Sequence, residues 1–339
     1  EDTHIHQINN MMELGGAEIA GIKMHAAIDV TMRRNHIHHC TMGIWCDWEA
    51  QGTRLSQNLL HDNQRPPFAS VLKGGMMSQD IFVEVGHGPT LIDNNIMLSD
   101  ASLRFATEGV ALVHNLICGA LTCVGGGTGP RYTPYHMPHR TEVMGFMTVL
   151  HGDDRFYNNI FVQKWPSDDI ITMHDSDDGF DTENRAAGTW MFDEYPTYDE
   201  WISQFDFSKP ADMAKLYGAH EGKLPVWIEG NAYLGGAKPS KKDVNALISA
   251  VAREDVRVEL VQKEDGYYLD TNVYELIEGF KNRMIDSDVL GKAFEPEERF
   301  ENPDGTAIRF DSDYFGTHRG VDVIPGPFAS KEEAAKKLY

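Results

Sequence analysis

Two carboxylates in the chain, Asp47 and Glu84, each precede an asparagine by eleven residues in a similar sequence context. Asp47 precedes Asn58, and Glu84 precedes Asn95. If these asparagines mark equivalent points on successive coils of a parallel β-helix, the two acids lie side by side on strands about 4.8 Å apart. A carboxyl pair roughly 5 Å apart is the geometry with which glycosidases hydrolyse a sugar linkage with retention of configuration.

Asparagines followed by an apolar stretch recur along the chain, and their spacing predicts the coils. They are Asn10, Asn35, Asn58, Asn95, Asn115, Asn159 and Asn231. Gaps of 25, 23 and 20 residues fit single coils, and the 44 residues between Asn115 and Asn159 fit two coils. The longer gap between Asn58 and Asn95 contains an insertion at 64–79 with proline and glycine pairs that signal turns. Chance recurrence of Asn-Ile and Asn-Leu pairs is the alternative.

The repeat predicts an all-β parallel β-helix, a solenoid with a C-terminal extension wrapped over it. Asparagine suits the corners because it tolerates left-handed backbone and its amide can bond to an amide on the next coil. Residues 1–10 already resemble part of a coil, so we expect the chain to start inside a β-helix. Its open end then needs a missing N-terminal half, a cap or a homo-oligomeric contact. The predicted units are coils at 1–165, an acidic and partly helical excursion at 166–223, a further coil at 224–236 and the extension at 237–339.

Strand alternation indicates which way the two acids face, because successive side chains of a strand point to opposite sides. The predicted inward sets are Ile81, Val83 and Val85 in one strand and Met42, Ile44 and Cys46 in the other. Phe82 and Glu84 then point outward, as do Trp45 and Asp47. An outward acid pair beside an outward aromatic pair is suited to a sugar ring. The alternative is a solvated acidic ladder with a bound cation, although two like charges this close are unfavourable without a function.

Further substrate-binding candidates flank this pair. The segment Gly21-Ile22-Lys23 echoes Gly43-Ile44-Trp45 and places His25 about one coil before Asp47. We predict substrate contacts from Trp45, Glu18, His25, His87, Arg104 and His139. His139 belongs to segment 131–143, which we expect to project as a loop over the cleft. For each flanking residue the alternative is an ordinary surface side chain.

The sequence predicts no metal centre and no cofactor. His36, His38 and His39 suggest a metal site, but we expect strand alternation to separate their side chains. An acidic loop offers oxygen ligands for a structural calcium ion, although its glycine is misplaced for an EF-hand. The loop residues are Asp175, Asp177, Asp178, Asp181 and Glu183.

Four cysteines without C-x-x-C spacing are predicted to be free buried thiols, which favours a reducing, cytoplasmic location. They are Cys40, Cys46, Cys118 and Cys123. A formal net charge of −22 over 339 residues argues against nucleic acid or anionic membrane as partner, because both would repel the chain. A neutral oligosaccharide remains compatible with that charge.

Several segments resemble glycoside hydrolase family 120, the right-handed parallel β-helix β-xylosidases. They are GIWCDWEAQGTRLSQNLLHDN, DIFVEVGHGPTLIDNN, VHNLICG, RYTPYHMPHRTEV, GDDRFYNNIFV, VLGKAFEPEERFENPDGTAIRFDSDYFG and PGPFAS. The resemblance extends from about residue 15 to 329 and corresponds to the C-terminal half of the family. The insertion at 64–79 and the absence of the family's N-terminal half are departures from the pattern.

The resemblance implies that Asp47 is the nucleophile and Glu84 the general acid/base of a retaining β-xylosidase acting on short β-1,4-xylo-oligosaccharides. A physical argument points the same way. Glu84 lies between two valines and beside an anion, and both influences favour the protonated acid that a leaving group needs. Two other classes are a calcium-dependent β-helix polysaccharide lyase and a non-catalytic carbohydrate-binding solenoid.

Overall fold

The computed structural model of the chain describes residues 1–9, 11, 18–64, 78–123, 132–165, 186–206, 208–209 and 223–339. These residues form mainly short strands. In chain order the strands are β1 (His4–His6), β2 (Ile22–Met24), β3 (Thr31–Arg33), β4 (His36–His38), β5 (Ile44–Cys46), β6 (Thr53–Ser56), β7 (Leu59–His61), β8 (Ile81–Glu84), β9 (Thr90–Asp93), β10 (Ile96–Met97), β11 (Ala101–Ala106), β12 (Val110–Val113), β13 (Leu116–Ile117), β14 (Ala120–Cys123), β15 (Tyr132–His136), β16 (Val143–Thr148), β17 (Asp154–Tyr157), β18 (Ile160–Val162), β19 (Val226–Glu229), β20 (Ala232–Leu234), β21 (Leu247–Ile248), β22 (Val258–Lys263) and β23 (Gly266–Thr271).

Three parallel sheets form the body of the molecule. Sheet A contains, in spatial order, β1, β4, β7, β10, β13, β18, β20 and β21. Sheet B contains β14, β11, β8, β5 and β2, and sheet C contains β19, β17, β12, β9, β6 and β3. The chain passes from sheet A to sheet B to sheet C and back to sheet A, and neighbouring coils pair in parallel. This arrangement confirms the predicted all-β parallel solenoid.

The remaining elements are short helices and two hairpins. The helices are α1 (Tyr198–Ile202), α2 (Val273–Leu276), α3 (Ser287–Leu290) and α4 (Lys331–Ala334), with 3-10 turns at Trp190–Glu194 and Arg253–Asp255. Strands β15 and β16 form one antiparallel hairpin, and β22 and β23 form another. Among the described residues, no helix has the length and apolar character needed to cross a membrane.

Inward-facing side chains from the three sheets pack into one apolar core. In a single coil, Ile37 of β4, Ile44 and Cys46 of β5, and Leu55 of β6 are all completely buried and belong to the same cluster. Alternation of side chains along each strand puts every second residue into this core. Burying each large aliphatic side chain contributes about 1.5–3 kcal/mol, so the stack of coils is the main source of stability.

A ladder of buried asparagines joins the coils at the corner that leads into sheet A. The side-chain amide of each member donates to the side-chain oxygen of the next at 2.9–3.0 Å. That oxygen also accepts the backbone N–H of the preceding member at 2.9–3.0 Å. The members are Asn35, Asn58, Asn95, Asn115, Asn159 and Asn231. The predicted amide bonding from coil to coil is therefore confirmed.

The left-handed backbone at this corner belongs to the residue before each asparagine, so our prediction that the asparagines themselves adopt it was wrong. These preceding residues have φ between 53° and 58°, except for Gly230 at 72°. They are Arg34, Gln57, Asn94, His114, Asn158 and Gly230. The left-handed residue turns the chain, which leaves the asparagine free to direct its amide along the stack.

The ladder also corrects two coil assignments. Asn115 bonds directly to Asn159 at 2.9 Å, so the 44-residue step from one to the other is one coil, not two. This coil contains an insertion that includes hairpin β15–β16. In the first coil, Thr3 takes the place that we predicted for Asn10, because its backbone N–H donates to Asn35 Oδ1 at 3.2 Å. Asn10 itself lies outside the described residues, as do 65–77 of the insertion at 64–79.

The C-terminal segment packs on the outer faces of two sheets. On sheet A, outward residues such as Leu116 and Ile160 pack with Phe328. On sheet C, Val113 packs with Phe300, among others. Sheet A itself continues to β21, so the parallel stack reaches into the segment 237–339.

Replacing a ladder asparagine should destabilise the protein strongly. In Asn95→Ala, Leu55 O loses the amide donor at 2.8 Å, and both Asn58 donors lose their acceptor. Each buried polar group left without a partner costs about 1–3 kcal/mol, so we expect a loss of at least about 3 kcal/mol in the free energy of unfolding. Urea denaturation measures it.

Asn302→Ala is the matched control, because the Asn302 amide bonds to Thr306 at an exposed turn. We expect it to cost less than about 1 kcal/mol. Similar losses for the two variants would show that the ladder does not hold the coils together.

Candidate active site

Strand register places Asp47 and Glu84 side by side on the outer face of sheet B. Cys46 of β5 pairs with Val83 of β8, so the next residues along the two strands are Asp47 and Glu84. The same register persists beyond them, because Glu49 N donates to Val85 O at 3.1 Å. The predicted juxtaposition of the two acids on adjacent strands is confirmed.

Two outward columns of side chains cross sheet B at this point. We call the first the acidic column, which contains His25, Asp47, Glu84 and Ala106. The second, two residues earlier along each strand, is the aromatic column, which contains Lys23, Trp45, Phe82 and Arg104. The acidic column carries the carboxylates, and the aromatic column lies directly beside it.

Asp47 is held in place by several donors. His25 Nε2 lies 2.8 Å from Asp47 Oδ2, and the Lys23 ammonium bonds to the same oxygen. The backbone N–H of Trp48 donates to Asp47 Oδ1 at 2.7 Å. Charge-assisted hydrogen bonds are about twice as strong as bonds between neutral groups. Only 7% of Asp47 is exposed, so its orientation is tightly constrained.

Glu84 is positioned by Trp45. The indole Nε1–H of Trp45 donates to Glu84 Oε2 at 3.1 Å, and Glu84 is 8% exposed. The indole ring is fixed in turn by Lys23, whose Nζ lies 3.6 Å from the ring centroid, and by Phe82 at 5.3 Å between centroids. The aromatic column therefore orients the acidic column.

The predicted exposed aromatic platform is wrong. Trp45 is 2% exposed and Phe82 is completely buried, so neither offers a free ring face to a sugar. Alternation along the strands correctly placed both rings on the outer face. There they pack with Ala106 and Met42. Our assignment of Met42 to the inward set was therefore wrong. Arg104 is 1% exposed, and its guanidinium carbon lies 5.9 Å from the Phe82 ring, so a direct substrate contact by Arg104 is also not supported.

Glu18 and His25 lie where the sequence predicted them, beside Asp47. One ligand atom from each of these three residues lies within 4.8 Å of the others. The side chains of Glu18 and His25 are 65% and 52% exposed. Lys23 bonds to both Glu18 and Asp47, and sequence analysis missed it. The similarity between Gly21-Ile22-Lys23 and Gly43-Ile44-Trp45 could have identified Lys23, because it aligns Lys23 with Trp45.

His87 is enclosed in a buried ionic cluster, which corrects its prediction as a substrate contact. Its side chain is 0% exposed, and its Nδ1 lies 2.6 Å from Glu108 Oε1 and 3.7 Å from Glu295 Oε2. Burial disfavours the imidazolium, but the two carboxylates outweigh burial and raise the pKa of His87 to about 10. Burial and the neighbouring Glu108 raise the pKa of Glu295.

Residues 132–143, which we predicted to project as a loop over the cleft, contain strand β15 and the turn of hairpin β15–β16. Gln51 exchanges two hydrogen bonds with the backbone of His136, at 2.9 and 3.0 Å. His139 bonds to Asp29 at 2.9 Å and to Glu301 at 3.4 Å, so its described contacts tie it to these acids rather than to Asp47 or Glu84. Arg131 lies outside the described residues.

The histidine prediction was wrong in its geometry. His36 and His38 are two residues apart on β4 and therefore share a face, with ring centroids 4.6 Å apart. The acidic loop considered for calcium lies outside the described residues. All four cysteines are free thiols, three of them buried and Cys123 half-buried, as predicted.

The chain is similar to a solved structure, the complex of XylC with xylose. The two are 34% identical in sequence and align with a TM-score of 0.81. The alignment covers 99% of this chain and 47% of the XylC chain, so this chain spans about half the length of XylC. No protein-family model and no curated protein sequence matches the chain. The similarity supports the solenoid fold over almost the whole length of the chain.

The buried ionic cluster predicts a pH dependence of stability. Because the folded pKa of His87 is about 10 and its ordinary value is 6.5, its stabilisation is complete below about pH 6.5 and is lost as the pH rises toward 10. The raised pKa of Glu295 acts in the same direction, since the folded state keeps a proton that the unfolded state releases.

Glu108→Gln removes the carboxylate that raises both pKa values. We expect the free energy of unfolding to decline less between pH 6.5 and pH 10 in this variant than in the wild type, whatever its absolute stability. Glu264→Gln, at the exposed turn of hairpin β22–β23, should leave the decline unchanged. An identical decline in the wild type and Glu108→Gln would contradict the proposed charge state of the cluster.

Proposed function

We propose that this protein is a retaining glycoside hydrolase that releases xylose from short β-1,4-xylo-oligosaccharides, a β-xylosidase without a cofactor. The observation that carries the proposal is the position of Asp47 and Glu84 on adjacent strands, with their side chains in one outward column. Strands about 4.8 Å apart put such a pair at the spacing of retaining enzymes. Similarity to a protein solved with xylose supports the choice of sugar.

The reaction takes place in two displacements. The Asp47 carboxylate attacks the anomeric carbon while the bond to the leaving oxygen breaks, and the Glu84 carboxyl group gives its proton to that oxygen. The product of this step is a sugar ester of Asp47. Glu84, now ionised, takes a proton from a water molecule that attacks the same carbon, which releases the sugar and regenerates Asp47.

The surroundings of the two acids favour these roles rather than the reverse. Asp47 accepts from Lys23, His25 and the backbone of Trp48, which suits a group that must be an anion in the resting enzyme. Glu84 adjoins that anion and is oriented by the Trp45 indole, which suits a group that must hold a proton at a defined position.

Substrate contacts are proposed for the exposed groups around Asp47. Glu18 and His25 expose polar atoms next to the nucleophile and can bind sugar hydroxyls. Trp48 follows Asp47 in the chain and is 39% exposed, so it can offer the aromatic face that we first assigned to Trp45.

Substitution of each acid should have a distinct effect on aryl β-xylosides. Asp47→Ala should abolish turnover of every xyloside, because no sugar ester can form. Glu84→Ala should retain the first displacement for an activated leaving group, which departs without a proton, and azide should accelerate release of the sugar as an azide adduct. Steady-state and burst kinetics with activated and unactivated xylosides separate the two roles.

Glu264→Ala, on the exposed turn of hairpin β22–β23, is the control and should behave like the wild type. A β-azide product from Asp47→Ala and none from Glu84→Ala would reverse the roles, because azide that takes the place of a missing nucleophile gives the α-azide by a single displacement. Wild-type protein that binds xylo-oligosaccharides without turnover would indicate a binding solenoid, and activity that disappears with EDTA would indicate a calcium-dependent lyase.

The spacing of the acids also predicts the stereochemistry of the first product. A pair on adjacent strands leaves no room for the water molecule that inverting enzymes place between carboxylates roughly 6.5–9.5 Å apart. We therefore expect β-xylose as the initial product from a β-xyloside. Proton NMR within the first minutes of reaction, before mutarotation, measures the anomer, and α-xylose as the initial product would exclude the proposed mechanism.

The two tryptophans should have separable effects. Trp45→Phe keeps a buried ring but removes the N–H that donates to Glu84, so we expect a lower kcat on unactivated xylosides with little change in KM. Trp48→Ala removes an exposed ring face, so we expect mainly a higher KM. Measurement of kcat and KM for both variants tests the assignment, which fails if Trp48→Ala leaves KM unchanged.

A further inference from the structure

A cluster of six histidines lies on the outer face of sheet A in its first coils. We call it the histidine cluster, and its members are His4, His6, His36, His38, His39 and His61. His4 pairs with His36 and His6 with His38 across β1 and β4, and His38 pairs with His61 across β4 and β7. Three neighbouring strands therefore bring their imidazoles together.

The same column is apolar in the coils that follow. The position of His4 and His36 is occupied by Leu59, Ile96 and Leu116 in β7, β10 and β13. These aliphatic residues pack under the C-terminal segment. Since hydrophobic side chains satisfy this face elsewhere, packing alone does not account for the run of imidazoles in the first coils.

Ring nitrogens of the cluster converge on each other. His4 Nε2 lies 2.7 Å from His38 Nε2, and His36 Nε2 lies 2.7 Å from His61 Nε2. One ligand nitrogen from each of His4, His36 and His38 lies within 4.8 Å of the other two. The cluster therefore presents several potential ligand nitrogens within a few ångströms of each other.

We propose that His4, His36 and His38, with His61 as a fourth ligand, bind a divalent transition-metal ion of the Zn²⁺ class that links β1, β4 and β7. Imidazole nitrogen is a preferred donor for these ions, and Zn²⁺ takes about four ligands in a tetrahedron at about 2.0–2.1 Å. Neighbouring ligand nitrogens in that tetrahedron are about 3.3 Å apart. Binding of the ion would require the 2.7 Å pairs to open and the trio, which lies within 4.8 Å, to close to about this distance.

The surroundings of the cluster suit oriented ligands. His36 is completely buried and His38 is 9% exposed, so the neighbouring groups hold both rings in place. Asp62 Oδ2 lies 2.6 Å from His61 Nδ1. A carboxylate on the far nitrogen of a histidine directs the near nitrogen to a metal and increases its basicity.

The bound ion would cross-link neighbouring coils. It would join the outer face of three successive coils, at β1, which comes first in the order of the described strands of sheet A. An ion that binds the folded state alone stabilises it by mass action. The site is on sheet A, whereas Asp47 and Glu84 are on sheet B, so this proposal is independent of the proposed function.

The test uses the whole chain, stripped of metal and without a histidine tag. Zn²⁺ is titrated against a chromophoric chelator, and the melting temperature is recorded with and without Zn²⁺. We expect one tightly bound Zn²⁺ per chain, a rise in melting temperature, and X-ray absorption showing nitrogen ligands at about 2.0–2.1 Å. Mg²⁺ should have none of these effects.

Two variants avoid changes in the buried core. His4→Asn removes an exposed ligand of β1, and Asp62→Asn removes the carboxylate that orients His61. Asp62→Asn should weaken Zn²⁺ binding by about 10–100-fold, and His4→Asn by at least as much. His318→Asn, at an exposed position, is the matched control and should bind like the wild type.

Two results would overturn the proposal. The first is wild-type protein that binds Zn²⁺ no more tightly than it binds Mg²⁺. The second is unchanged Zn²⁺ affinity in both His4→Asn and Asp62→Asn, which would show that the ion binds elsewhere on the molecule.

Discussion

Backbone hydrogen bonds between parallel coils hold each residue beside one fixed partner in the next coil, and the arrangement of side chains depends on that register. The asparagine ladder maintains it at one corner even where 72 residues separate successive members, Asn159 and Asn231. Inserted segments lie in the connections between strands, so they do not change which residues of neighbouring strands pair. Asp47 and Glu84 therefore lie side by side although they are 37 positions apart in the chain, as are the paired Cys46 and Val83.

Stacking in register also brings like groups together, which has an energetic cost. If both acids were ionised about 5 Å apart, they would repel each other by about 3 kcal/mol at an effective dielectric constant of 20, which favours a proton on one of them. Lys23 offsets this repulsion at Asp47, and the Trp45 indole donates to Glu84. The cation, the indole and the two acids form one connected unit, so we regard Lys23 and Trp45 as positioning residues for the candidate site.

Sequence patterns correctly predicted the features that follow from the repeat. They failed where the burial of a side chain depends on segments that are distant in the sequence. The coil, the ladder and the adjacency of Asp47 and Glu84 follow from spacing and alternation. The burial of Trp45 does not, because alternation along a strand says which face a side chain occupies but not what covers that face. His87 illustrates the same limit, since its partner Glu295 comes from a part of the chain over 200 residues away.

The histidine prediction failed for a different reason. Side chains two residues apart lie on the same face, so alternation brings His36 and His38 together instead of separating them. His4 and His61 join the cluster because β1, β4 and β7 pair with each other. The coil that contains β1 was hard to recognise from the sequence, because Thr3 takes the position that asparagine occupies in the other coils. A correct register from the start would have revealed the cluster.

The proposed mechanism requires a covalent ester between Asp47 and the sugar, and trapping that ester tests the mechanism. A 2-deoxy-2-fluoro-β-xyloside with an activated leaving group slows the second displacement and lets the ester accumulate. Peptide mass spectrometry of the inactivated protein should locate one fluoroxylosyl group on Asp47. A label on Glu84 or Glu18, or inactivation without any label, would contradict the account.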